Sequence, residues 1–279
     1  MKRAGIIGWP VTHSLSPVLH GYWLKEYGVD GEMLRLPAQP EQFAAEIARV
    51  RGLGFAGVNV TVPHKEAAFE LSQTRDRAAQ ICGAANLLVF GPDGIAGRNT
   101  DHVGLYQSLK ESLGEDGRSG KTVVLLGAGG AARGALLALD ELGAAQIHIL
   151  NRHHARAESL AHALALNLSA RLLPGPLESW ISLAPQAALL LNSTSAGMTG
   201  TPPLALELGG LPQDAAVCDI VYNPLETQLL KSAAARGLKT IDGLGMLMHQ
   251  AVPSFAAFFG VTPEVTPGLR AALVRALHG

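Results

Sequence analysis

The chain has 279 residues, more than one hydrophobic core comfortably serves, so two domains are expected. Apolar residues make up 48% and charged residues 16%, the balance of a well-buried α/β protein rather than a disordered chain. The formal net charge is −1 and no run of Lys or Arg occurs, which removes the electrostatic footprint for nucleic acid or an anionic membrane as partner.

Residues 3–8 read as a short buried strand, and Ser16–Tyr27 as a helix with Pro17 in its first turn. The opening MKRAGIIGWP has too few apolar positions for a signal-peptide core, and about 18 uninterrupted apolar residues occur nowhere, so a cytoplasmic protein is expected. Glu32–Leu36 reads as a strand, Pro40–Arg51 as a helix and Phe55–Val60 as a second buried strand. Short helices around His64–Leu71 and Arg75–Ile81 come next. A strand over 84–90 follows, whose turn at 91–94 leads into Ile-Ala-Gly. This alternation predicts an α/β layer with a mainly parallel sheet.

A helix from Asp101 to Leu113 precedes the polar stretch 115–120, suited to a hinge or boundary. Beyond it the pattern restarts: strand 121–127, helix 131–143, strand 146–150, helix 154–166, then strands at 187–192 and 215–221. A helix over Leu225–Arg236 and a strand at 238–242 close this region. Two helices, Gly243–Phe259 and Thr266–Leu277, end the chain, and nothing in the pattern assigns them to either domain. Cys82 and Cys218 stand far apart in apolar surroundings and read as buried reduced thiols.

VVLLGAGGAARGA (123–135) places Gly127, Gly129 and Ala132 on G-x-G-x-x-A spacing between a strand and a helix. The first glycine permits a tight turn, the second lets backbone approach a pyrophosphate, and the helix N-terminus presents N–H groups to the anion. A dinucleotide is therefore expected here; a purely structural loop is the alternative. The next strand decides which dinucleotide. An NAD site ends it with a carboxylate on the ribose hydroxyls, whereas this strand ends in Asn151 and Arg152, with Arg156 four residues on. Two guanidiniums suit a 2′-phosphate, so NADP is favoured over NAD; arginines merely solvated at a helix start are the alternative. NSTSAGM (192–198) offers hydroxyls at a further strand end, or is an ordinary loop.

Three stretches of the first half carry unusual polar density. HSLSP (13–17) holds Ser14 and Ser16, NVTVPHK (59–65) holds Asn59, Thr61 and Lys65, and GRNTD (97–101) ends in Asp101. Each has an ordinary alternative: Ser16 and Asp101 as helix N-caps, Asn59 and Thr61 satisfying a sheet edge, Lys65 solvated. Together they suit a substrate dense in hydroxyls, since Ser, Thr and Asn both donate and accept. A Lys paired with an Asp suits carbonyl reduction, the ammonium protonating the oxygen as hydride reaches carbon.

GWPVTHSLSP, NVTVPHKE, GAANL, NTD, GAGGAAR, NR, NSTSAGM, DIVYNPLETQLL and DGLGMLMHQ occur in this order from Gly8 to Gln250, and the chain so resembles the shikimate dehydrogenases. The resemblance implies NADP-dependent reduction of 3-dehydroshikimate to shikimate on the route to chorismate and the aromatic amino acids. It implies a substrate domain of residues 1–103 and 240–279, a Rossmann-type NADP domain of residues 104–239, and a cleft between them. By the same resemblance Lys65 and Asp101 are the proton-transfer pair. Ser14 and Ser16, with Tyr222 nearby, hold the substrate carboxylate, and Asn59, Thr61, Asn86, Asp101 and Gln250 the ring hydroxyls. Gly127, Ala128, Gly129, Gly130 and Ala131 line the pyrophosphate, and Asn151, Arg152 and Arg156 the 2′-phosphate. Thr194, Gly243 and Met246 complete the cofactor site, Met246 beside the nicotinamide or, alternatively, filling core.

Three positions depart from the family's common pattern: Leu87 where Thr is usual, His102 where Gly is usual, and His153 where Thr is usual. They bear on substrate preference and cofactor discrimination, not on the Lys–Asp chemistry. Quinate or an aminoshikimate is the alternative substrate, and a non-catalytic dinucleotide sensor would be expected to have lost Lys65 or Asp101. The ten histidines show no metal-ligand spacing, so no metal is expected. A monomer or a homodimer is expected.

Overall fold

The computed structural model describes residues 1–114 and 119–278. The chain divides into two compact units, Met1–Asp101 with the segment from Met248 onward, and His102–Leu247. The divisions fall two residues before the first expected boundary and eight after the second. The expected hinge at 115–120 lies outside the described residues apart from Ser119 and Gly120.

The first unit runs β1 (Lys2–Gly8), α1 (Ser16–Glu26), β2 (Gly31–Pro37), α2 (Phe43–Gly52), β3 (Gly57–Val60), α3 (Lys65–Leu71), β4 (Thr74–Arg75), α4 (Arg77–Cys82), β5 (Leu87–Gly91) and β6 (Gly94–Arg98). Its sheet has the order β2-β1-β3-β5-β6-β4. Parallel pairing joins β1 to β2 and β3, and β4 to β6. β5 instead lies antiparallel to β3 and β6. For the β5–β6 pair the reason is local: only Pro92 and Asp93 separate the two strands, which allows a hairpin, while a parallel partner needs a crossover of about a dozen residues. On one face of the sheet Phe43, Ile47 and Val50 of α2 pack with Ile7, Val58, Val60 and Leu88. Burial of each such side chain contributes about 1.5–3 kcal/mol.

The second unit takes up α5 (Asp101–Leu113) after its first residue, then β7 (Thr122–Leu126), α6 (Gly130–Glu141), β8 (Gln146–Asn151), α7 (His154–Leu164), β9 (Arg171–Pro176), α8 (Trp180–Leu183), β10 (Ala187–Asn192), β11 (Ala216–Asp219), α9 (Gln228–Ala235) and β12 (Lys239–Ile241). The strands order β12-β11-β10-β7-β8-β9, every pair parallel. This is a doubly wound sheet whose order reverses between β7 and β10, the position where such sheets bind ligands at their carboxyl ends. β9 and α8 have no counterpart in the sequence reading. β9 is RLLPGP, whose Pro174 and Pro176 break a strand pattern. It sits at the sheet edge, where a missing N–H is tolerated. α9 starts later than expected because Thr227 caps it, accepting from the Leu230 N–H.

Two helices end the chain, α10 (Gly243–Phe259) and α11 (Pro267–His278). From Met248 onward they belong to the first unit, which settles what the sequence pattern left open. Phe255 meets the Trp23 ring edge-on at 5.4 Å and the Phe259 ring in a tilted arrangement at 4.8 Å, and Trp23 Nε1 donates to the Glu264 carbonyl at 3.0 Å. His20 of α1 lies fully buried among these rings. Cys82 and Cys218 are both buried, and neither takes part in a disulfide. Among the described residues no helix is long and apolar enough to cross a membrane, and no group of three or more His, Cys, Asp or Glu could hold a metal ion.

Candidate active site

Lys65 is the first residue of α3 and Asp101 the first of α5. Their side chains meet: Lys65 Nζ stands 2.5 Å from Asp101 Oδ2, with the side chains only 15% and 6% exposed. Asn86, immediately before β5, donates from Nδ2 to Asp101 Oδ1 at 2.9 Å, and lies 3.4 Å from Gln250 Oε1 of α10. Four of the expected residues thus form one hydrogen-bonded group. Its geometry is imposed by backbone: the Thr100 N–H donates to Asn86 Oδ1 at 2.7 Å, which turns the Asn86 NH₂ toward the carboxylate. Thr100 Oγ1 then donates to the Gln250 carbonyl at 2.9 Å. Thr100 is the middle residue of the NTD motif, and its residue type alone carries no signal of this role.

The ordinary alternative for Asp101, an N-cap, does not describe it. It is the first residue of α5, its N–H donates to Asn99 Oδ1 at 3.1 Å, and its carboxylate meets Lys65 and Asn86. A carboxylate in the first turn of α5 is also favoured by the helix dipole. Ser16 parallels this. It is the first residue of α1, and Ser14 Oγ accepts its N–H at 3.3 Å, while the two hydroxyls lie 3.2 Å apart. Asn59, on buried β3, donates from Nδ2 to Ser254 Oγ at 2.6 Å, and its Oδ1 is buried without a partner. Ser254 is a further residue that sequence reasoning passed over; a single serine within the apolar α10 was its only signal. Thr61 follows β3, its N–H donating to the Ile7 carbonyl at 3.0 Å, which sets it beside the end of β1. Next to Lys65, His64 is buried, stacked on Phe43 at 4.7 Å, with Nε2 2.8 Å from the Ala38 carbonyl.

In the second unit, Gly127 follows β7 with φ +106°, a conformation that L side chains rarely adopt. A Cβ there would also lie 2.8 Å from Thr194 Cγ2 and 2.9 Å from Ser193 Oγ, so the turn packs directly on the loop after β10. Ala128, Gly129, Gly130 and Ala131 continue into α6, whose N-cap is Gly129 with no capping side chain. Space beside Gly129 and Gly130 is open: nothing lies within 4 Å of a Cβ built on either. An uncapped helix start, open glycines and a strand-order reversal together fit a pyrophosphate. Beside them, Asn151 ends β8 and donates to the His153 carbonyl at 2.9 Å, and Arg152 and Arg156 are exposed. No carboxylate ends β8, which fits a 2′-phosphate better than a free ribose hydroxyl.

Tyr222 and Met246 are half-buried in the same unit. Gly243, at the start of α10, has a packing reason for being glycine: a Cβ would stand 2.2 Å from the Ile220 carbonyl oxygen. Of the three departures, Leu87 is fully buried in β5, His102 Nε2 lies 3.9 Å from Glu141 Oε1, and His153 is exposed before α7.

A family model described as the shikimate dehydrogenase substrate binding domain matches residues 6–88, and one described as shikimate / quinate 5-dehydrogenase matches residues 109–198. The shikimate dehydrogenase (NADP(+)) of Methylobacterium radiotolerans is 49% identical, over 99% of this chain and 98% of its own. Among solved structures, shikimate 5-dehydrogenase from Thermus thermophilus in complex with NADP(H) and shikimate is 34% identical with a TM-score of 0.85, over 99% of this chain and 100% of that one. Quinate dehydrogenase from Corynebacterium glutamicum in complex with NAD is 29% identical with a TM-score of 0.89, over 98% and 99%. With the models matching one in each unit, and about half of all positions shared with a relative along nearly its whole length, this chain belongs to the shikimate dehydrogenase family.

Proposed function

We propose that this chain catalyses the reversible, NADP-dependent reduction of 3-dehydroshikimate to shikimate, acting in the cytoplasm as a monomer or homodimer. The observation that carries the reading is the buried Lys65–Asp101 pair, held by Asn86 in the unit matching the substrate-binding model. When bound, the nicotinamide supplies or accepts the hydride. Lys65 donates a proton from Nζ to the substrate oxygen during reduction and recovers it during oxidation. The Asp101 carboxylate holds that ammonium in place and balances its charge. Asn86, Gln250 and Asn59 bind ring hydroxyls. Ser14 and Ser16 bind the substrate carboxylate, and Thr61 a neighbouring hydroxyl.

Gly127 to Ala131 receive the pyrophosphate at the start of α6, and Arg152 and Arg156, with Asn151, take the 2′-phosphate. Roles for Thr194, Tyr222, Gly243 and Met246 rest on the family resemblance. The test is a four-way activity matrix of purified protein: shikimate and quinate, each with NADP⁺ and NAD⁺. Reduced nicotinamide should form fastest with shikimate and NADP⁺. Faster turnover of quinate, or of NAD⁺, would overturn the corresponding part of the proposal.

A further inference from the structure

Asp219 is the last residue of β11 and is 0% exposed. A fully buried carboxylate is costly, and an apolar residue of similar size often leaves a fold as stable or more so. What this one holds is therefore informative. It accepts from three segments: Asn192 Nδ2 at 2.9 Å and the Val221 N–H at 3.1 Å on Oδ1, and Thr227 Oγ1 at 2.7 Å on Oδ2. Asn192 ends β10, Val221 precedes Tyr222, and Thr227 caps α9. Burial pushes the Asp219 carboxyl above the usual carboxylate range, partly countered by these donors.

The bond to Asn192 has a directional consequence. With Nδ2 committed to Asp219, Asn192 Oδ1 must face the other way, where it accepts both the Thr194 N–H at 3.0 Å and the Thr194 hydroxyl at 2.7 Å. Thr194 in turn lies against the glycine turn, within 2.8 Å of where a Gly127 Cβ would be. A continuous chain of bonded and packed groups thus runs from Asp219 through Asn192 and Thr194 to Gly127, at the strand-order reversal.

We infer that Asp219 is a positioning residue for the dinucleotide: through the Asn192 amide it sets Thr194 against the Gly127 turn and so shapes the pocket wall opposite α6. The inference rests on the NADP reading above, and it adds a residue outside the glycine motif and the arginine pair. Asp219→Asn keeps an oxygen for Asn192 and Val221 and places an NH₂ opposite the Thr227 hydroxyl, which can turn to accept. Asp219→Leu removes every acceptor.

The experiment measures NADP⁺ dissociation constants by calorimetry on wild type, Asp219→Asn, Asp219→Leu and Asn192→Ala, together with KM for shikimate and the melting temperature. Asp219→Leu and Asn192→Ala should each weaken NADP⁺ at least tenfold and Asp219→Asn less than threefold, and KM for shikimate should stay within twofold in Asn192→Ala, which leaves the Val221 N–H bonded to Asp219. Asn192→Ala leaves Asp219 two of its three donors, so it decides the matter if Asp219→Leu does not fold. A folded Asn192→Ala with wild-type NADP⁺ affinity overturns the inference, as does an equal loss toward NADP⁺ and shikimate, the sign of general damage. Failure of the wild type itself to bind NADP⁺ would instead remove the functional proposal on which the inference stands.

Discussion

His20 provides a quantitative test of the packing in the first unit. Its ring is fully buried, neither nitrogen has a hydrogen-bond partner, and ring centroids of Phe255, Phe258 and Phe259 lie 5.8, 6.2 and 6.2 Å away. Burial lowers its pKa from 6.5 to about 3. The unfolded chain therefore binds this proton more readily than the folded chain, so stability is undiminished above about pH 6.5 and falls as the pH drops toward 3. Linkage with those two values gives a loss of about 2 kcal/mol at pH 5 relative to pH 8. With a urea m-value of about 2 kcal/mol per molar, that is a midpoint lower by about 1 M. His20→Phe removes the titrating group while keeping an aromatic ring. Its packing change applies at both pH values and cancels in the comparison, as does the smaller, partly exposed His148 effect, which is also downward. Urea unfolding of both proteins at pH 8 and pH 5 should show the wild type losing about 1 M more than the variant. Equal pH dependence in the two would refute the reasoning, because it would mean His20 is protonated, or solvated, in the folded state.

Three further outcomes follow from the site. Lys65→Ala should lower kcat about 10²- to 10⁴-fold with a smaller change in KM for shikimate, measured by steady-state kinetics; unchanged turnover removes Lys65 from proton transfer. Replacing Arg152 and Arg156 together by Ala should raise KM for NADP⁺ by about tenfold or more and leave KM for NAD⁺ nearly unchanged, since only the 2′-phosphate loses charge-assisted donors. Equal losses for both dinucleotides would place the arginines elsewhere. Gly127→Ala should weaken NADP⁺ binding and lower the melting temperature, because the new Cβ meets Ser193 and Thr194 at a φ of +106° that costs about 1–2 kcal/mol for an L residue. A variant of wild-type affinity and stability would show that the turn relaxes freely.

Local signals in the sequence determined a good deal. The glycine turn between a continuous apolar strand and an amphipathic helix, and the absence of a carboxylate after β8, are short-range patterns, read without knowing the fold. The α10 bounds were legible for the same reason, since its apolar run ends at Gly260. Strand β9 was not, because its two prolines are tolerated only at a sheet edge, and an edge exists only once the strand order is set. The meeting of Lys65 with Asp101, 36 residues apart, likewise required the tertiary structure. So did the roles of Thr100, Ser254 and Asp219, whose residue types are ordinary in a sequence. Which group their side chains turn toward is fixed by long-range hydrogen bonds in a buried setting, and spacing along the chain carries no information about such bonds.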